Sequence, residues 1–342
     1  VYGKLPASAG YETRTSLGFI AHMDTVSDFA DHEVNPLVHP EYNGEDLPLG
    51  TSGRTLELSV FPHLKTLKGR TLITSDGTTI LGADDKAGVA EIMTLLEELE
   101  KRGIPHGPVS IGFTPDEEVG QGADLCDVPG FGAEFAYTVD GGPEGEIEYE
   151  NFNAAGARIR ITGFNVHPGS SKDTMINAAA VACEIQSMLP EKDTPRNTEG
   201  YEGFFHLTGM KGDVAQAEME YIIRDHDAEK FAAREALLQE IVKKMNEKYG
   251  SGTVELELKE QYRNMAEKIR PCFHLIENAR EAARRAGIEP EVIPVRGGTD
   301  GARLSYMGLP CPNLGTGGYA CHGPYEHITA EGMDLTVELL LE

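Results

Sequence analysis

A short apolar segment that runs into three consecutive acidic residues constrains the fold most strongly. Residues 109–113 are mainly apolar, which is typical of a strand buried on both faces of a sheet, and Pro115 ends the segment. Asp116, Glu117 and Glu118 follow at once. Adjacent carboxylates repel one another unless a cation or a proton lies between them. Two neighbouring glutamates at a strand end therefore indicate either a solvated acidic turn or part of a metal site.

Four other stretches favour the metal site, because each places a metal-ligating side chain beside a short apolar segment. They contain His22, Asp84, Asp140 and His322. Strands alternate here with helices, such as the one whose apolar residues recur with helical period from 89 to 99. This alternation predicts an α/β fold whose site lies at the carboxyl edge of a mostly parallel sheet. We also expect a long loop over residues 26–53 and a hairpin around residues 75–77.

The middle of the chain has a different pattern. Residues 153–261 show the order β-α-β-β-α-β with an apolar pattern of their own, which is typical of a ferredoxin-like α+β domain. A chain of 342 residues is also too long for one ordinary domain. We therefore predict a discontinuous catalytic domain, residues 1–152 and 262–342, with residues 153–261 inserted into it. Because the chain opens with Val1 and not with Met, we expect an opening segment of the first domain to be missing.

Composition argues against several classes of protein. The chain has 30 basic and 56 acidic residues, and a net charge of -26 disfavours a nucleic-acid partner. The absence of a long apolar run and of a signal-peptide pattern predicts no membrane partner. Five scattered cysteines without a C-x-x-C motif argue against a disulfide framework and a thiolate zinc site. We expect a cytoplasmic protein.

Two imidazoles and three carboxylates form a coherent set of candidate ligands. The set comprises His22, Asp84, Glu118, Asp140 and His322, and it suits zinc, with cobalt or manganese as substitutes. If one carboxylate bridges two ions, each ion also holds one histidine and one terminal carboxylate. Two-metal hydrolytic sites have this stoichiometry, with ions about 3.5–4 Å apart. The set therefore predicts a two-metal site for hydrolysis.

Two further acids complete the predicted site. Glu117 is next to Glu118, and adjacent residues point in different directions, so Glu117 can act as the base that is not a ligand. Asp24 can accept the second ring N–H of His22 and fix its tautomer. Each motif alone is weak, since an acid at a helix start, such as Asp84, is usually a cap. Their combination is what favours a metal site.

Five motifs resemble the metal-site motifs of the M20 metallopeptidase family. They are H-M-D-T at 22–25, G-A-D-D-K-A-G at 82–88, D-E-E-V-G at 116–120, T-V-D-G-G at 138–142 and C-H-G at 321–323. Within that family the chain is similar to the aminotripeptidases over residues 148–155, 165–178, 198–207, 217–225 and 295–313. The resemblance runs almost end to end. It implies a mixed-sheet zinc-peptidase domain and an inserted lid that also mediates dimers.

The resemblance also implies a role for each site residue. The ligands of two zinc ions per subunit would be Asp84 as the bridging carboxylate, His22 and Asp140 at one ion, and Glu118 and His322 at the other. Glu117 would be the general base and Asp24 a supporting carboxylate. His167 would approach the scissile carbonyl of the substrate, in many family members from the partner subunit. Arg224 and Arg296 would hold a peptide carboxylate or the oxyanion, with a structural ion pair as an equal alternative.

The predicted function is removal of the N-terminal residue from tripeptides by a water activated at two zinc ions. Two alternatives stay open at this point. Another M20 amide hydrolase, such as a dipeptidase, a carboxypeptidase or an N-acyl amino acid deacylase, shares the metal motifs. A metal- or peptide-binding protein without turnover shares the ligands, although an intact Glu117 beside them argues for hydrolysis. The expected partners are a short peptide and a second copy of the chain.

Overall fold

The computed structural model describes residues 1–342 and divides into two compact units. The larger unit consists of Val1–Tyr149, Met265–Ile293 and Thr299–Glu342. The smaller unit consists of Glu150–Asn264 and Pro294–Gly298. The predicted insertion, residues 153–261, falls within the smaller unit, which also contains a short segment from after the insertion.

The chain folds into strands and α-helices that alternate along much of its length. The strands are β1 (Tyr2–Leu5), β2 (Leu17–His22), β3 (Pro36–His39), β4 (Leu47–Leu49), β5 (Arg54–Leu56), β6 (Leu72–Ser75), β7 (Val109–Thr114), β8 (Phe135–Gly141), β9 (Glu146–Glu148), β10 (Asn153–Thr162), β11 (Phe204–Gly212), β12 (Gln216–Asp225), β13 (Val254–Tyr262), β14 (Glu291–Val292), β15 (Asn313–Gly315), β16 (Gly318–Tyr319) and β17 (His327–Thr329). The helices are α1 (Ala83–Arg102), α2 (Val128–Phe131), α3 (Ala178–Met188), α4 (Ala228–Tyr249), α5 (Ala266–Ile269), α6 (His274–Arg285), α7 (Asp300–Tyr306) and α8 (Ala330–Leu341). None of the eight α-helices combines the length and the apolar character that a membrane span requires.

A seven-stranded mixed sheet forms the centre of the larger unit. Its strand order is β1-β7-β2-β8-β15-β9-β14. The four adjacent strands β7, β2, β8 and β15 are parallel to one another. On either side of them, β1 pairs antiparallel with β7, and β9 pairs antiparallel with β15. The carboxyl ends of β7, β2 and β8 therefore meet at one edge of the sheet. The predicted α/β fold is confirmed.

The core of the larger unit packs the apolar stripe of α1 with the sheet. Ile92, Leu95 and Leu99 are buried on this helix, in the same cluster as Phe19 of the sheet. Fully burying one such side chain stabilises a fold by about 1.5–3 kcal/mol. The helix ends at Arg102 and is followed by Gly103, whose φ of 61° lies in the left-handed region that glycine adopts without steric strain.

A smaller sheet of the larger unit corrects two local predictions. It has the order β16-β17-β6-β3, so β6 pairs with β3 and β17 and not with a following hairpin strand. Residues 79–81 form no strand, because the Ser75 hydroxyl donates to the Thr79 carbonyl at 2.7 Å and closes a local turn. The predicted loop over residues 26–53 contains β3 and β4.

The smaller unit is an antiparallel sheet with helices on one face. Its strand order is β11-β12-β10-β13. Alternate residues of the sheet, such as Ile159 and Met219, are buried in a common core with residues such as Val181 of α3 and Leu238 of α4. The neighbouring residue Arg158 is exposed on the opposite face. The order β-α-β-β-α-β confirms the predicted ferredoxin-like topology.

Candidate metal centre

Three neighbouring strands of the central sheet end at one cluster of side chains. His22 is the last residue of β2, and Asp140 is the penultimate residue of β8. Glu117 and Glu118 follow the end of β7. Because β7, β2 and β8 are parallel neighbours, their carboxyl ends bring these side chains together.

The other two predicted ligands reach the cluster from a helix start and from a loop. Asp84 lies at the start of α1, where Asp84 (ψ 105°) and Asp85 (ψ 36°) both have non-helical backbone angles. The regular helix therefore begins after them. His322 lies between β16 and β17 with a left-handed φ of 66°. His22 is buried, whereas 54% of the His322 side chain is exposed, so one end of the cluster is accessible to solvent.

The carboxylate of Asp84 lies between the two imidazoles. Its Oδ1 is 2.9 Å from Nε2 of His22, and its Oδ2 is 3.1 Å from Nε2 of His322. Each histidine also faces a carboxylate that the other does not. Oδ1 of Asp140 is 3.3 Å from Nε2 of His22, and Oε2 of Glu118 is 3.1 Å from Nε2 of His322. This is the arrangement that one bridging and two terminal carboxylates require.

The electrostatics of the cluster suit divalent cations. Burial alone would raise the pKa of Asp84, but hydrogen bonds from His22 and His322 hold that pKa well below its usual range. Burial would lower the pKa of His22, but Asp140 and Asp84 raise it to about 12. Hydrogen bonds to Asp84 and Glu118 raise the pKa of His322 to about 10. The carboxylates thus strongly favour positive charge at both Nε2 atoms, and this donor set fits two cations of the zinc type.

Asp24 acts mainly on the two glutamates. Its Oδ1 accepts the backbone N–H of Glu117 and its Oδ2 accepts that of Glu118, both at 3.1 Å. Nδ1 of His22 is 3.0 Å from the backbone carbonyl of Asp24 and 3.4 Å from its carboxylate. The ring tautomer of His22 is therefore fixed chiefly by a backbone carbonyl. The Asp24 side chain fixes the turn that carries Glu117 and Glu118.

Glu117 has an environment that favours its protonated form. Burial first of all, and then the charges of Asp140, Asp300 and Glu118, raise the pKa of this carboxyl to about 8. A pKa near neutrality is typical of a group that accepts and returns a proton during turnover. The side chain is half-buried, and the charges of Asp140, His22 and Glu118 act on it.

Two buried acids at the centre were not identified from the sequence. The Asp85 carboxylate accepts the backbone N–H of His22 at 3.0 Å, and its ligand atoms lie near those of His22 and Asp140. Asp300 accepts the Thr114 hydroxyl at 2.7 Å beneath the end of β7. Both acids lie inside motifs that carry the family resemblance, at 82–88 and 295–313. Their place inside these motifs is the sequence feature from which both acids could have been predicted as site residues.

A third unidentified acid, Glu326, is 1% exposed and lies four residues after His322. Its Oε2 accepts the backbone N–H groups of Leu81 and Gly82, each at 2.7 Å, and its Oε1 accepts that of Asp84 at 3.0 Å. Nothing in the local sequence pattern predicts these contacts, because they join positions that are more than two hundred residues apart.

The three predicted substrate residues lie in the smaller unit. His167 is exposed, and its Nδ1 accepts the backbone N–H of Gly169 at 3.1 Å. The neutral ring therefore carries its proton on Nε2. Arg224 is 9% exposed, and its guanidinium donates to the carbonyls of Ala155 and Ile223 at 3.2 and 2.9 Å. Its contacts favour a structural role, and binding of substrate by Arg224 stays a prediction.

Arg296 also donates to its own unit. Its guanidinium bonds to the carbonyls of Gly200 and Glu202 at 2.7 and 2.9 Å and to the Thr198 hydroxyl at 3.0 Å. It also lies over the ring of Phe152, 5.1 Å from the ring centroid. These contacts tie the loop around residue 200 to the segment Pro294–Gly298. A contact of Arg296 with substrate stays a prediction.

A mixed sheet whose carboxyl edge lies at a cluster of two histidines and several carboxylates, together with a separate α+β unit, is the architecture of an M20 metallopeptidase. Residues 149–253 match the peptidase dimerisation domain of the M20 type. The solved structure of aminopeptidase PepT from Bacillus cereus aligns with a TM-score of 0.79 at 25% identity, over 99% of this chain and 82% of that one. A dinuclear metal binding peptidase of the M20 family from Bacillus subtilis aligns with a TM-score of 0.63 at 17% identity, over 99% and 82%, and shows the shared fold.

Close relatives identify the branch of the class. Peptidase T of Clostridium novyi is 53% identical over 344 residues, which cover 100% of this chain and 84% of the relative. Peptidase T of Aliivibrio salmonicida is 50% identical over 343 residues, with the same coverage of 100% and 84%. The chain belongs to the peptidase T family.

Proposed function

We propose that this protein is a metal-dependent aminopeptidase that removes the N-terminal residue from tripeptides. The observation that carries the proposal is the Asp84 carboxylate between His22 and His322, with Glu117 next in sequence to Glu118, which also faces His322. Membership of the peptidase T family and the similarity to an aminopeptidase of Bacillus cereus support this substrate class.

Five side chains would hold two cations: Asp84 would be shared between them, His22 and Asp140 would serve one, and Glu118 and His322 would serve the other. Zinc is the proposed metal, with cobalt or manganese as substitutes. When bound, two such cations lower the pKa of water and polarise the peptide carbonyl. The similar fold of a dinuclear metal binding peptidase supports two cations per chain.

The protein side chains move the protons. Glu117 takes a proton from the attacking water and returns it to the amine that leaves when the peptide bond breaks. Asp24 holds the backbone of Glu117 and Glu118, so the base and its neighbouring ligand keep a fixed spacing. The family resemblance implies that His167, in many family members from the partner subunit, would donate to the oxygen of the scissile carbonyl, which carries negative charge in the transition state.

The inserted domain is proposed to form a homodimer, which the match of residues 149–253 to a peptidase dimerisation domain supports. A cytoplasmic location is proposed as well. Five free cysteines, of which Cys183 and Cys321 are exposed, support a reducing compartment.

A peptide panel tests the proposed activity. The metal-free protein is supplied with zinc, cobalt or manganese and given a dipeptide, a tripeptide, a tetrapeptide, an N-acetylated tripeptide and a tripeptide amide. We expect cleavage of the first bond of the free tripeptide. Its kcat/KM should be at least about 100-fold higher than that of the N-acetylated form, because acetylation removes the charged amine and leaves the polar groups that bind it unpaired. Preference for a dipeptide or a blocked peptide would assign another M20 amide hydrolase. Metal binding without any turnover would assign a binding protein.

A further inference from the structure

We propose that Glu326 is a positioning residue that holds Asp84 in place between the two cations, an inference that rests on the proposed metal centre. The Glu326 carboxylate accepts three backbone N–H groups from the chain that leads into α1. Oε2 binds the N–H groups of Leu81 and Gly82 at 2.7 Å each, and Oε1 binds that of Asp84 itself at 3.0 Å. With 1% of its surface exposed, Glu326 makes these bonds away from competing water.

These N–H groups need an acceptor because of the backbone around Asp84. Gly82 has a left-handed φ of 76°, and the ψ of 105° at Asp84 is extended. N–H groups at a helix start have no acceptor within the helix, and a buried N–H without a partner is costly. Glu326 supplies the acceptor for all three. Its position therefore sets the position of the Asp84 backbone and, through it, of the Asp84 carboxylate.

Glu326 itself stands on a fixed segment. It immediately precedes β17, whose residues His327–Thr329 pair with β6. The neighbouring His327 ring bonds to the Tyr325 carbonyl at 2.7 Å and to Nε2 of His63 at 2.9 Å. His322 lies on the same segment, four residues before Glu326. One stretch of chain thus presents one ligand of the site and also anchors another.

The two oxygens of Glu326 accept hydrogen bonds from different residues, so replacement by glutamine is informative. A glutamine carbonyl can replace Oε2 and keep the bonds to Leu81 and Gly82. Its NH₂ group then faces the Asp84 N–H, so two donors oppose each other where an acceptor had been. Glu326→Gln therefore disturbs Asp84 selectively.

Glu331→Gln is the matched control. Glu331 lies in the first turn of α8, and its two oxygens accept the Thr71 N–H at 3.0 and 2.8 Å. This replacement also removes a carboxylate that accepts a hydrogen bond from a backbone N–H beside β6. Thr71, however, is neither a proposed ligand nor a neighbour of one in the sequence.

The experiment is a titration of the metal-free protein with Co²⁺ alone, followed by the visible absorption of the bound ion, with circular dichroism as a check of folding. We expect Glu326→Gln to bind Co²⁺ about 10–100-fold more weakly than the parent. Loss of a hydrogen-bond partner that orients a metal ligand typically has an effect of this size. Glu331→Gln should bind Co²⁺ like the parent. Excess Co²⁺ should restore most of the kcat of Glu326→Gln.

Glu326→Asp is a second variant in case the first folds poorly. Aspartate keeps the charge and both oxygens, but its side chain is shorter by one methylene. The affinity of Glu326→Asp for Co²⁺ should therefore lie between those of Glu331→Gln and Glu326→Gln. Equal affinity in Glu326→Gln and Glu331→Gln would overturn the inference, and so would an aspartate variant as weak as the glutamine variant. The titration uses no peptide, so a parent that binds Co²⁺ but cleaves no tripeptide contradicts the proposed function and leaves this inference standing.

Discussion

Replacement of Glu117 by glutamine is expected to lower kcat by about 10²–10⁴-fold, the usual contribution of a positioned general base. Glutamine has nearly the same shape as glutamate but cannot accept the proton of the attacking water. Glu117 is not one of the five proposed ligands, so the metal content should stay at the parent value. Steady-state kinetics with a tripeptide and metal analysis of the same sample measure both quantities.

The neighbouring residue supplies the control for this variant. Asp116 is exposed and has a left-handed φ of 61°, a region that asparagine tolerates well. Asp116→Asn removes one negative charge from the same turn and should retain the kcat of the parent. A Glu117→Gln protein that turns over within a few-fold of the parent would remove Glu117 from the role of base. Loss of metal from that variant would make Glu117 a ligand.

Replacement of Asp84 by asparagine is expected to remove cations as well as activity. Asp84 is the one carboxylate that faces both His22 and His322, at 2.9 and 3.1 Å. An amide has one acceptor oxygen and cannot serve two cations. We expect fewer than two metal ions per chain and a kcat that is lower by about 10³-fold, because a cation at the carbonyl supplies several kcal/mol of stabilisation.

Asp140→Asn is the comparison variant for Asp84→Asn. Of the two histidines, Asp140 faces only His22. This variant should lose affinity at the buried site around His22 and keep the site of Glu118 and His322. Metal analysis after dialysis against limiting zinc distinguishes the two variants. Equal retention of two ions in Asp84→Asn and in the parent would contradict the bridging role.

Local pattern was enough to place the central elements of the fold. The apolar period of α1 with Gly103 after it, and the β-α-β-β-α-β order of the smaller unit, both follow from short-range periodicity and stop signals. The position of the acids at strand ends also follows, because parallel neighbouring strands share a carboxyl edge. These features depend on residues that are close together in the sequence.

Elements whose stability comes from distant partners could not be predicted. β1 has only four residues and exists because it pairs antiparallel with β7, more than a hundred residues later. β3 is equally short and depends on its pairing with β6. Strand propensity in such segments is weak compared with the effect of their neighbours.

The same reason explains what was missed at the site. Glu326 contacts the backbone N–H groups of Leu81, Gly82 and Asp84, and backbone groups leave no signature in the sequence at the other end of the contact. Arg296 likewise bonds to backbone carbonyls of the loop around residue 200, and these contacts also leave no signature in the sequence of that loop.

Anomalous X-ray diffraction at the zinc edge, from crystals of zinc-loaded protein, tests the bridged pair of cations most directly. We predict two peaks about 3.5–4 Å apart, with one oxygen of Asp84 at each peak, the His22 side chain at one and the His322 side chain at the other. A single peak, or two peaks of which one lies outside this group of side chains, would contradict the account.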